Sequence, residues 1–148
     1  MLTTTLIKIF IRDLNKLKTE IKAYKTEENL WLLNKDITNS AGNLCLHIVG
    51  NLNHFIGATL GNTGYVRQRD LEFSHKDILR TTLLKQVDDT IQMVEDVLTK
   101  LLDENLEKEY PIVVFKGPMS TEYFLVHLAT HLSYHLGQIN YHRRLLDS

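Results

Sequence analysis

The chain is short of most features that mark a specialised protein. It has one cysteine, Cys45, in 148 residues. That excludes an intrachain disulfide and points to a reducing compartment, with the cytoplasm as the expected location. Formal net charge is −1, so no strong global field draws nucleic acid or anionic lipid, and neither is an expected partner. No apolar run approaches the ~20 residues that cross a bilayer. The opening MLTTTLIKIFIRDLNK brings in Asp13 soon after its apolar residues and offers no small-residue cleavage site, so it reads as mature helix rather than a signal peptide. Two prolines and seven glycines leave long stretches free for helix. No HExxH motif occurs, which removes the zinc-protease reading on its own signature.

What is present is an ordinary globular composition, 43% hydrophobic and 24% charged, at a length that suggests one domain over 1–148. Leu6, Phe10, Leu14, Leu17, Ile21 and Tyr24 recur at steps of four and three, predicting a first helix from about Thr3 to Lys25. Trp31, Leu32 and Leu33 are expected to plug one end of the core. Ser40 is a good N-cap for a second helix reaching about Leu60. Gly42, Gly50 and Gly57 each weaken that helix by ~1 kcal/mol relative to alanine, a pattern expected where a neighbour packs close. A long charged linker, YVRQRDLEF, follows the GNTG at 61–64. Ser74 with Asp77 matches a capping box and predicts the start of a third helix, with the stripe Leu84, Val87, Ile91, Val94, Leu98 and Leu101. The run YPIVVF at 110–115 is β-prone and expected to be extended. A fourth helix is predicted from about Thr121 to Leu146. Four amphipathic helices without a convincing sheet argue for an all-α four-helix bundle.

The chemistry concentrates in the last helix. His127, His131 and His135 stand four residues apart in HLATHLSYHLGQINYHRRLL, and positions i and i+4 share a helix face. An adjacent pair can grip one divalent cation, a recurring helical device. His127 and His135 lie ~12 Å apart along the axis, so one ion takes either 127 with 131 or 131 with 135. A third ligand must come from another helix, and His47 and His54, ~10.5 Å apart, cannot both join. Cys45 points away from His47 and is expected to be a small core residue. His75 and His142 are expected to face solvent or to stand behind the ligands. Imidazole ligands suit Zn²⁺, Ni²⁺ or Fe²⁺. Three protein ligands leave a position for water or substrate, the catalytic arrangement. No obvious general base accompanies the histidines.

THLSYHLGQI, with His131 and His135 ahead of Gly137 and Gln138, resembles the last helix of the DinB-like (YfiT-like) metal-binding four-helix bundles. NSAGNLCLHIVGNLNHFI resembles the second helix of that family, and GYVRQRDLEFS the linker of an uncharacterised subgroup. The resemblance implies an up-down-down-up bundle with its crossover between helices two and three. It also implies a metal triad of His47, His131 and His135, with Gln138 lining the same cavity or tuning the ion. Relatives include transferases and isomerases that use low-molecular-weight thiols such as bacillithiol or mycothiol, and many are dimers. The expected function is therefore a thiol S-transferase dependent on Zn or Ni, acting on a small molecule as a homodimer. A metal-dependent hydrolase and a non-enzymatic metal-binding protein are the alternatives. Arg67 and Arg69 in the linker are candidates to grip a substrate carboxylate, against the simpler expectation of a solvated loop.

Overall fold

Hydrophobic spacing accounts for the longest elements of the computed structural model, which describes residues 1–148 and contains helices but no strand. Helix α1 spans Leu2–Ala23 and buries Leu6, Phe10, Leu14, Leu17 and Ile21, the face its periodicity predicts. Tyr24 ends it by turning extended. A 3₁₀ turn over Glu27–Trp31 then lays the Trp31 ring on Gly42, where a Cβ would stand 2.7 Å from ring carbons. The expected three-residue plug is one residue: Leu32 and Leu33 are 41% and 52% exposed.

Helix α2, Ala41–Leu52, starts as expected, with Ser40 Oγ accepting from the Asn43 N–H at 3.2 Å. It runs on through a π-helical stretch, Asn53–Ala58, and a last turn, Thr59–Gly61, before Asn62 takes a left-handed conformation. The linker contains a short helix, α3, Arg69–Ser74. Helix α4 is Arg80–Thr99. The predicted start at Ser74 is therefore incorrect. Ser74 closes α3, and Asp77 at φ 59° sits where an α-helix cannot pass. The buried stripe of α4 is Leu83, Val87, Thr90, Val94 and Leu98, with Leu84 and Ile91 at its margin.

One turn, α5 (Asp103–Leu106), precedes the 107–120 connection. The β-prone run at 110–115 forms no strand, and only Tyr110 at its start makes a backbone pairing. The chain closes instead through an isolated antiparallel bridge, Glu109 to Ser120, outside that run. Tyr110 anchors it, its N–H donating to the Met119 carbonyl at 2.8 Å and its hydroxyl to the Phe55 carbonyl at 2.5 Å. Helix α6, Thr121–Leu146, starts at Ser120, whose Oγ accepts from the Tyr123 N–H at 3.0 Å.

The main contacts of the four long helices run from α1 to α4, α4 to α2, α2 to α6 and α6 back to α1. The C-terminal ends of α1 and α6 meet, with the Arg143 Nε donating to Glu20 Oε2 at 2.7 Å. His142 belongs to this end, which corrects the expectation of a solvent-facing or supporting residue. It is 4% exposed; the Tyr24 hydroxyl donates to its Nδ1 at 2.7 Å and its Nε2 donates to the Leu32 carbonyl at 2.9 Å. Helices α2 and α6 pass in opposite directions, pairing Phe55 with Phe124 near one end and His47 with His135 near the other. No helix is long and apolar enough to cross a membrane.

Candidate metal centre

The crossing of α2 and α6 brings three imidazoles together. His47 Nε2 lies 3.2 Å from His131 Nε2, and His135 Nε2 lies 3.0 Å from the same atom. The ligating atoms of His47, His131 and His135 all fall within 4.8 Å of one another. Donor atoms around a four-coordinate Zn²⁺, bound at about 2.0–2.1 Å, stand about 3.3–3.4 Å apart. The two separations from His131 Nε2 are within a few tenths of an ångström of that spacing, and the third pair falls within the 4.8 Å limit, so this donor set fits a divalent cation.

Proton bookkeeping favours the same reading. The Nδ1–H of His47 donates to Glu72 Oε1 at 3.0 Å, and the Nδ1–H of His135 donates to Gln138 Oε1 at 2.8 Å. Each neutral imidazole carries one N–H, so both Nε2 atoms are lone pairs. Both are aimed at His131 Nε2, a nitrogen with at most one proton to offer. Burial, with the neighbouring His135 and His47, pushes the His131 pKa down to about 3. Burial also holds His135 below its ordinary value, partly offset by Gln138. His131 therefore stays neutral, the ligand-competent form, well into acid.

Glu72 is the residue that sequence reading missed. It is 6% exposed, and Arg67 grips it at both oxygens, Nε to Oε2 at 2.9 Å and an outer guanidinium nitrogen to Oε1 at 3.0 Å. Burial drives the Glu72 pKa up, but the hydrogen bonds from His47 and Arg67 together outweigh it and keep the carboxyl ionised. A carboxylate accepting from the far nitrogen of a metal-facing histidine fixes the tautomer and orientation of that ring. Gly50 makes this approach possible. It lies on the face of α2 one turn beyond His47, and a Cβ there would collide with the Glu72 carboxylate, standing 2.6 Å from its Cδ. The local signal was present as a glycine inside an apolar helix. Its partner, 22 residues away in the linker, was not identifiable from spacing.

Arg67 is thus no solvated loop residue: its side chain is 11% exposed. Arg69 is exposed and lies over the Phe73 ring, 5.4 Å from its centroid. His127 is not in the cluster; it packs against Phe115 and Phe124. His54 likewise stays apart, and His75 is exposed. Cys45 is fully buried, its thiol pushed up to about 12 by burial alone, a core residue as expected. A cavity of about 370 Å³ opens beside His47 and His131 and is bounded by Arg67, Arg69 and several aromatic rings.

No curated protein matches the chain. The family model described as a protein of unknown function, DUF1572, matches residues 4–148, and the chain accordingly belongs to this DinB-like family.

Proposed function

We propose that this protein is a metal-dependent enzyme of the thiol S-transferase type, with Zn²⁺ or Ni²⁺ held by His47, His131 and His135. The convergence of three Nε2 atoms, two of them fixed as lone pairs by Glu72 and Gln138, carries this reading. A divalent cation with one open position supplies positive charge that keeps a thiol deprotonated near neutral pH. Glu72 holds His47 in its ligating tautomer, and Arg67 neutralises Glu72 so that the pair adds no net charge to the site. Arg69 is the cation left to meet an anionic group on a small-molecule substrate. The hydrolase alternative needs a free base near the ion, and Glu72, the one buried carboxylate there, is already committed to His47 and Arg67.

The same reading takes the four long helices as an up-down-down-up bundle with its crossover at 61–74, supported by the meeting of the α1 and α6 C-termini. It takes the working unit as a homodimer. Tyr134, Tyr141 and Leu145, each more than 60% exposed on one side of α6, offer apolar surface to a second copy. Incubating zinc-loaded protein with bacillithiol and monochlorobimane tests the activity. Conjugation above a His131→Ala control supports it, and equal rates refute it.

A further inference from the structure

The cavity beside His47 and His131 has a composition of its own. Phe55, Phe115 and Phe124 form its apolar walls, and no Asp or Glu lines it. Of its two arginines, Arg67 is neutralised by Glu72, whereas Arg69 enters no salt bridge. Asn51 also lines it, one turn beyond His47 on α2; it is 7% exposed, and its Oδ1 is buried without a hydrogen-bond partner. Buried polar atoms in folded proteins are nearly always paired, so an orphan acceptor on a cavity-lining side chain leaves room for a donor from outside the chain once the side chain turns toward it. The volume, about 370 Å³, lies within the range of about 300–1,000 Å³ common to small-molecule sites.

We infer that this cavity binds an aromatic or similarly flat apolar acid that also carries a neutral hydrogen-bond donor. Its anion meets Arg69, its body lies among the three phenylalanines, and its hydroxyl or amide N–H pairs with Asn51 Oδ1. The inference names the substrate class of the proposed metal site and rests on that reading for its catalytic meaning, but the binding itself needs no metal.

The probes are phenylpropionate, its carboxamide, and the three ring isomers of hydroxyphenylpropionate. Each is titrated calorimetrically into the full chain, EDTA-treated and zinc-loaded, with zinc affinity measured separately. The acid is expected to bind both forms about tenfold more tightly than the carboxamide, a gap that closes in Arg69→Gln. At least one hydroxylated isomer should gain about two- to tenfold over phenylpropionate, a gain lost in Asn51→Leu. Arg69 is exposed, so the first variant stays informative if Asn51→Leu misfolds. Equal binding of acid and carboxamide overturns the inference. So does binding confined to the zinc-loaded form and indifferent to Arg69→Gln, since the ion would then hold the carboxylate. Tight zinc binding with no probe bound sinks the cavity and spares the metal site, and probe binding without zinc affinity does the reverse.

Discussion

Gly50→Ala sets two effects of opposite sign against each other. Alanine is the better helix former by about 1 kcal/mol, and Gly50 is interior to α2, so an ordinary site would gain stability. Here the added Cβ would collide with Glu72 Oε2 and stand 2.6 Å from Cδ, and ordinary contact begins at 3.4 Å, so the carboxylate must withdraw by at least roughly 0.8 Å. It is not a free side-chain end. His47 holds it at 3.0 Å and Arg67 at 2.9 and 3.0 Å, and a shift of that size breaks at least one of these bonds. A hydrogen bond to a charged group contributes about 1.5–3 kcal/mol. Subtracting the helix gain leaves a net loss of about 0.5–2 kcal/mol, with His47 no longer held in its ligating tautomer. Urea unfolding of metal-free wild type and variant measures the first effect, and a zinc titration with a chromophoric competitor measures the second. Stability is expected to fall and zinc affinity to drop about tenfold or more. A variant more stable by about 1 kcal/mol with unchanged zinc affinity would refute the argument that Glu72 occupies the space above Gly50.

Three further outcomes follow from the same geometry. Glu72→Gln keeps the shape but removes the charge that receives the His47 N–H, and zinc affinity by calorimetry should fall about 10–100-fold; an unchanged affinity separates Glu72 from the site. Tyr24→Phe strips His142 Nδ1 of its buried donor, whose hydroxyl lies 2.7 Å away; urea unfolding should show a loss of about 1–3 kcal/mol, and no loss contradicts the pairing. His131, His135 and His142 all have pKa values below 6.5 in the fold. Below that pH the unfolded chain takes up more protons than the native one. Stability of EDTA-treated protein should therefore be complete above about pH 6.5 and decline as pH falls toward the folded values; a melting temperature flat from pH 7 to 4.5 would count against the burial of these rings.

Much of the framework was legible because it depends on local repetition. The α1 stripe, the Ser40 cap and the extent of α6 come from spacing that each helix carries within itself. That two adjacent histidines among 127, 131 and 135 can share an ion belongs to the same class, while the choice of His131 with His135, and of His47 over His54, came from family resemblance. Failures fall where the deciding contact is distant or the local pattern is overridden. Ser74 and Asp77 read as a capping box, yet the chain needs a turn there to carry α3 across α2, and Asp77 goes left-handed. His142 reads as a terminal residue because Tyr24, its partner, is 118 positions away. YPIVVF has strand propensity but no second strand to pair with. Glu72 sits among the charges of the linker, and only the open space over Gly50 distinguishes it from its neighbours.

The most direct test is metal stoichiometry. Protein purified without a nickel column is titrated with Zn²⁺ under a chelating competitor, beside His47→Ala and His135→Ala variants shown by circular dichroism to be folded. The account predicts one tightly bound ion per wild-type chain and affinity reduced at least a hundredfold in each variant. Wild type that takes up no zinc, or variants that bind it as tightly as wild type, would contradict a centre built by these three histidines.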